Sequence, residues 1–185
     1  MIEWREQKTE LPLHPIGILL SRLPEAYARA VNSRCAEGRV IVVDAHGRAD
    51  VERHIAGSCD EQGGLLVGEA FTVDDEEIAA VFVRAGVAAL DFASSGISLR
   101  MQAGVWTRAR EALRAGELIV GWYHSHPSIG AFFSDTDRRT QRSFFPHSYS
   151  VGWVRDPFRA EECWFLGAAS EAVPAQRVLA WESER

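Results

Sequence analysis

Leu118-Ile119-Val120-Gly121-Trp122-Tyr123-His124-Ser125-His126-Pro127, continuing through Ser128-Ile129-Gly130-Ala131-Phe132-Phe133-Ser134-Asp135-Thr136-Asp137, decides how this chain is read. Its first six residues form an apolar run of the length of a buried strand. Side chains alternate faces along a strand, so His124 and His126 point to the same side. Pro127 then leads out of the sheet, which leaves two imidazoles together at the strand's end. A hydroxyl at Ser134 and a carboxylate at Asp137 follow. Two nitrogen ligands and a carboxylate suit a tetrahedral zinc ion whose fourth position is left to water. A closed structural site would fill that position from the protein, often with cysteine, and no cysteine lies near this run. An open, hydrolytic site is therefore expected, since bound zinc brings the pKa of its water to about 7 and polarises a carbonyl.

Such chemistry also needs a proton acceptor and an oxyanion donor. Ser134 lies beside the ligand set, and its hydroxyl can donate to a developing oxyanion. The acceptor has to come from elsewhere in the chain. Glu61, in Asp60-Glu61-Gln62-Gly63-Gly64-Leu65-Leu66-Val67-Gly68, is the leading candidate because it falls at a helix-to-strand junction. Asp60 and Glu69 compete with it, and periodicity does not separate the three. Ser134-x-x-Asp137 also has the form of a helix N-terminus, a serine cap with an acid three positions on, at the head of a helix starting over 135–142. Capping and oxyanion donation are compatible, since one hydroxyl serves each in a different state.

Glu61-x-x-Gly64-Leu65-x-x-Gly68, then His124-x-His126-Pro127, Ser134 and Asp137, resembles the signature of the JAMM metalloproteases, the MPN-plus or JAB domain. Gly121-Trp122-Tyr123 before the histidines and Arg155-Asp156-Pro157 after the next strand extend the likeness. The resemblance implies one Zn2+ ion with a bound water on His124, His126 and Asp137, Glu61 as general acid and base, and Ser134 as oxyanion stabiliser. It implies an α/β fold, a mixed curved β-sheet flanked by two or three helices in a JAMM/MPN, cytidine-deaminase-like architecture. Residues 1–185 are expected to form a single domain of this type, with 1–38 an N-terminal extension packed on it. The implied activity is that of a zinc isopeptidase or peptidase cleaving after the C-terminal glycine of a ubiquitin-like protein, in deconjugation or precursor maturation. The small bare domain looks like a prokaryotic, deubiquitinase-like member. Such members accompany activating and conjugating enzymes, in systems some of which are antiviral.

Three other readings stand beside it. The same chemistry would serve to process a sulfur-carrier protein adduct, or a kindred fold would serve DNA repair. A non-catalytic, partner-binding MPN module is the third, and the complete ligand set disfavours it. A zinc nucleoside deaminase would need a glutamate in its His-x-Glu run and a Pro-Cys-x-x-Cys. The thermolysin and metzincin types need His-Glu-x-x-His on a helix. None of these runs occurs here.

Composition narrows the setting. A net charge of −6 argues against a nucleic-acid partner and leaves a protein partner open. Three scattered cysteines, Cys35, Cys59 and Cys163, suit reduced thiols, with Cys59 read as a small buried hydrophobe. No run approaches the roughly 20 apolar residues that span a bilayer. Glu3, Arg5, Glu6 and Lys8 do not make a signal peptide, so no membrane role and a cytoplasmic location are expected.

Periodicity and turn residues predict helices over 24–34, 49–57 and 104–114, and strands over 40–43, 64–71, 78–83, 149–154, 163–168 and 178–181, with a turn at 44–47. In the third helix Val105, Ala109 and Ala112, with Trp106 and Leu113, make the apolar face, while Arg108, Arg110, Glu111 and Arg114 face water. The acidic run Asp74-Asp75-Glu76-Glu77 is read as a solvated connection, or as a dock for a basic tail. Residues 85–101 correspond to the segment that, in the family, helps hold the substrate tail as an added strand. His14, His46, His54 and His147 lack ligand-like neighbours and are read as structural.

Overall fold

The computed structural model describes residues 11–74, 77–90 and 103–182. At its centre is β3 (Gly63–Val73), buried from Gly63 to Thr72 and accordingly written as a nearly continuous apolar and glycine run. It pairs antiparallel with β4 (Glu77–Ala88) on one side and β5 (Leu118–Ser125) on the other. The short β1 (Leu13–Pro15) joins the far end of β3 in parallel. Beyond β5 come β6 (Val151–Asp156), β7 (Glu161–Leu166) and β8 (Glu171–Val173), and beyond β4 lie β2 (Val40–Asp44) and β9 (Val178–Trp181). The outermost strands, β8 and β9, are joined by residues 174–177 alone, so the nine-stranded sheet has to curl until its edges approach. Arg39 bridges that seam, donating to the Ser148 carbonyl at 3.0 Å and to the Glu171 carboxylate.

Two local features of the central strands set the site. The register between β3 and β5 skips Val120, because Leu66 pairs with Gly121 and Val67 with Ile119. That bulge shifts the phase of β5, so Ile119 and Trp122 share one face while Val120 and Tyr123 share the other. The glycines of the Glu61 motif answer to β4. A Cβ on Gly64 would collide with the Val87 carbonyl and lie 2.7 Å from the Tyr123 ring, and one on Gly68 would collide with the Phe82 carbonyl.

Five helices occur among the described residues, more than the expected two or three. α1 (Ile16–Arg22) and α2 (Glu25–Cys35) set Leu19, Leu23 and Val31 against Val40, Val42, Phe71 and Phe82. α3 (Ala45–Ile55) covers a second layer through Val51 and Ile55, against Ile41, Val43, Leu66 and Tyr123. α4 (Ala103–Ala112) and the residues around α5 (Asp135–Phe144) bury the other face, where Val105, Ala109, Phe133 and Phe145 meet Leu65, Val67 and Trp122.

Several expectations are corrected. Residues 44–47 are not a turn but the start of α3, with Asp44 Oδ1 accepting from the backbone N–H of His46 and Gly47 at 3.0 Å each. An aspartate makes the same side-chain-to-backbone bonds in a turn and at a helix cap, so the sequence signal is shared. Ala112 is exposed at the end of α4, and Arg108, expected in water, is half-buried and donates to the Ala88 carbonyl at 3.0 Å. Cys59 is exposed rather than buried. Asp75 and Glu76, and residues 91–101 of the presumed tail-binding segment, lie outside the described residues. No helix among the described residues is long and apolar enough to cross a membrane.

Candidate metal centre

The β5 bulge turns His124 toward α5, where its ring lies flat on Trp122 with centroids 4.6 Å apart. His126, one step beyond the strand, reaches back beside it, and the two Nε2 atoms stand 3.1 Å apart. Asp137 enters from the first turn of α5, with Oδ1 3.3 Å from His124 Nε2 and Oδ2 3.7 Å from His126 Nε2. All three side chains are buried, and among the described residues they are the one such group able to hold a metal ion. A zinc ion with bonds of about 2.0–2.1 Å separates its ligands by roughly 3.3 Å along each edge of its tetrahedron. The spacings of 3.1 Å between the two Nε2 atoms and 3.3 Å from His124 Nε2 to Asp137 Oδ1 match that edge, and the three candidate ligand atoms all lie within 4.8 Å of one another.

The surroundings orient each of these groups. Ser134 caps α5. Its backbone N–H and its hydroxyl both donate to Asp137 Oδ2, at 2.7 and 2.6 Å, and its Oγ accepts the Asp137 N–H at 3.2 Å. The cap and the proposed ligand are thus one arrangement, in which the cap occupies Oδ2 and leaves Oδ1 directed at His124. His126 Nδ1 pairs with the Gly130 carbonyl at 3.2 Å, an acceptor that places the proton on Nδ1 and the lone pair on Nε2.

Glu61 comes from the loop between α3 and β3, with Oε1 3.9 Å from His126 Nε2 and its side chain 37% exposed, open enough to meet a substrate. Its neighbour Gln62 is clamped to the strand between the histidines. The Gln62 N–H donates to Ser125 Oγ at 2.9 Å, and the Ser125 N–H to the Gln62 carbonyl at 2.8 Å. Asp60 is exposed, and Glu69 lies toward the opposite end of β3, paired with Arg22 at 2.6 Å. Geometry thus separates the three acids that periodicity left level.

Charge follows the same layout. Burial, reinforced by the charge of His124, pushes His126 below its usual 6.5 and keeps it in the neutral, ligating form. Burial raises Glu61 above 4.5 against the pull of His124, with Asp137 adding to the rise. Burial alone would also raise Asp137, but the hydrogen bond and charge of His124 and the two bonds from Ser134 outweigh it and hold the carboxyl at about 2.

Two further residues shape the site: Asp156, singled out by the Arg155-Asp156-Pro157 likeness but given no role by it, and Phe132, which has no sequence signal of its own. Asp156 is fully buried at the end of β6, and its carboxylate accepts the backbone N–H groups of Ser128, Gly130, Phe158 and Arg159 at 2.7 to 3.1 Å. It fixes the loop whose Gly130 carbonyl meets His126; an aspartate just ahead of Pro157 was the available hint. Phe132 lies edge-on to His126 at 4.9 Å between centroids and is 45% exposed, so it forms an apolar wall at the mouth of the site. The other histidines are engaged elsewhere: His14 with the Gly116 carbonyl, His54 with the Tyr123 hydroxyl, His46 near Glu182, and His147 stacked on Tyr149. A cleft of about 690 Å³ opens at the other end of β3 and β5, around Glu69, Arg84 and Glu117, and contains none of the metal-site residues.

Fold and site together define an α/β domain of the JAB/MPN type. Residues 42–166 match the prokaryotic homologs of the JAB domain, and the chain belongs to that family. It is 33% identical over 121 residues to the ubiquitin carboxyl-terminal hydrolase RPN11 of Saccharomyces cerevisiae, across 62% of this chain and 35% of that protein. The chain thus spans about a third of the length of such relatives. A shorter stretch of 64 residues, 34% of this chain and 20% of the other, is 42% identical to the NAD(+) hydrolase TcpA of a Theionarchaea archaeon. Among solved structures, protein DSY2949 from Desulfitobacterium hafniense shares the fold, with a TM-score of 0.52 and 19% identity over 77% of this chain and 93% of that one.

Proposed function

We propose that this protein is a zinc-dependent isopeptidase or peptidase that cleaves after the C-terminal glycine of a ubiquitin-like protein. The observation that carries the reading is the buried cluster of His124, His126 and Asp137, in which His124 Nε2 stands at a tetrahedral-edge distance from both His126 Nε2 and Asp137 Oδ1, with Glu61 brought beside them from far upstream. The 33% identity to a ubiquitin carboxyl-terminal hydrolase supports the substrate class.

His124 Nε2, His126 Nε2 and Asp137 are the residues that would hold the ion. Zinc, when bound there, supplies a water that is nucleophilic at neutral pH and a Lewis acid for the scissile carbonyl. Glu61 accepts the proton of the attacking water and returns it to the departing amine, a task helped by the burial that raises its carboxyl above 4.5. Ser134 releases its hydroxyl from Asp137 Oδ2 and donates to the developing oxyanion, while its backbone N–H keeps Asp137 in place. Ser125 holds the Glu61 loop against the histidine strand, so acceptor and ligands keep their spacing through the reaction. Phe132 limits access of bulk water at the His126 side.

The experiment is a release assay on a ubiquitin-like protein whose C-terminal glycine is amide-linked to a fluorescent amine. Release by the purified protein is expected to stop on exhaustive chelation, to return with zinc, and to be lost in Glu61→Gln. Release that survives chelation, or that Glu61→Gln retains, overturns the reading.

A further inference from the structure

Gln141 belongs to a helix rich in charged and polar residues, yet it is fully buried. Its carboxamide is satisfied at both ends. Nε2 donates to the carbonyls of Ser150 at 3.0 Å and Gly167 at 3.2 Å, and Oε1 accepts from Trp122 Nε1 at 2.6 Å. Those partners lie on β5, just before β6 and just after β7, so one side chain ties α5 to three strands. Gln141 stands one helical turn after Asp137 and on the same face, and these two are the buried residues of α5. Trp122, which it grips by the ring edge, is the surface on which His124 lies, with the two planes within 7°. His124 Nδ1 is buried without a hydrogen-bond partner among the described residues, so packing on Trp122, rather than a bond to that nitrogen, orients the ring.

We propose that Gln141 is a positioning residue that sets the distance between Asp137 and His124, and through it the affinity of the site for its metal. The proposal rests on the metal-site reading above. A helix is free to slide and roll on a sheet within the tolerance of its apolar contacts, and a ligand on its first turn would move with it. Three directional bonds from Gln141 remove that freedom at the level of Asp137. Their loss would leave the indole N–H and two carbonyls unpaired in the interior, and α5 would shift to relieve them.

The test reads metal binding without turnover. Protein stripped of metal is titrated with cobalt(II), followed by visible absorption, and with zinc in competition with a chelating dye. Gln141→Met keeps an unbranched side chain of similar size and removes all three hydrogen bonds. Its affinity for both ions is expected to fall about 10- to 100-fold, the range seen for residues that support metal ligands from behind. Its cobalt bands are expected to move as the ligand set distorts. Trp122→Phe keeps a stacked ring and removes only the N–H, so a smaller loss in the same direction is expected. In an Asp137→Ala background, Gln141→Met is expected to cost no more than about 2- to 3-fold, because the ligand it positions is gone.

Equal losses with and without Asp137 overturn the proposal. So does unchanged affinity and spectrum in Gln141→Met with only a lowered melting temperature. If Gln141→Met does not fold, Trp122→Phe decides, and unchanged cobalt binding in that variant overturns it. Wild-type protein that takes up neither ion overturns the metal-site reading itself, and this proposal with it.

Discussion

Ser134 is assigned two tasks, and one pair of substitutions separates them. Its Oγ makes two bonds within the cap of α5, donating to Asp137 Oδ2 and accepting the Asp137 N–H, while its backbone N–H makes a third bond that alanine or glycine there retains. Ser134→Ala removes the two side-chain bonds at a position where alanine caps poorly, which costs about 1 kcal/mol. For a chain of this size that lowers the melting temperature by about 2–4 °C. Ser134→Gly removes the same hydroxyl, but glycine is tolerated as a cap, and the loss shrinks to a few tenths of a kcal/mol. If Ser134 stabilises the oxyanion, both variants lose the donor equally, and kcat falls by about 10- to 1000-fold in each. The assay pairs thermal denaturation with kcat on the fluorescent glycine amide, using zinc-loaded protein. The reasoning fails if Ser134→Gly turns over at the wild-type rate, or if the loss of kcat follows the loss of stability from one variant to the other.

Glu61→Gln is expected to bind zinc with wild-type affinity while turnover falls by about 100-fold or more, whereas His126→Ala and Asp137→Ala are expected to bind it too weakly to retain it through purification, although binding can still be titrated at high metal concentration; metal analysis beside the release assay distinguishes the two patterns. Gly64→Ala drives a methyl group into the Val87 carbonyl and the Tyr123 ring, and chemical denaturation should register a loss of about 1–3 kcal/mol. Glu117 gives a pH signature outside the site. Burial alone would raise its carboxyl, but the paired Arg84 and the Arg114 N–H hold it below 4.5. A carboxyl depressed by folding stabilises fully above its unfolded value, near pH 4.5, and the contribution is lost as pH falls through the folded one. Wild-type stability should therefore drop more steeply below pH 4.5 than that of Glu117→Gln, measured by urea melts at several pH values.

The sequence exposed the parts of this molecule in which a single local rule dominates. The apolar run into His124 has one reading, a buried strand, and Ser134 three positions before Asp137 marks the start of α5 at the correct residue. What escaped depends on partners distant in the chain. α1 begins at a proline without a side-chain cap and buries only Leu19, so nothing local distinguishes it. The expected end of β4 at residue 83 followed from the break in the apolar run at Arg84, yet the strand continues to Ala88 because β3 supplies its hydrogen bonds and Arg84 bulges out to meet Glu117. β8, three residues long, exists because β7 is there to pair with it. Within the site, Glu61, Asp60 and Glu69 are equivalent acids by spacing. They are separated by the clamp between Gln62 and Ser125, which no periodicity encodes.

That clamp joins residues 63 positions apart, whereas both imidazoles and the third proposed ligand fall within one short stretch of chain. Grip and reactivity are therefore assembled on different scales. The three candidate ligands depend on how the β5–α5 segment packs, whereas Glu61 depends on the α3–β3 junction meeting β5. Loosening the Gln62–Ser125 pair would thus free Glu61 while leaving the three candidate ligands together.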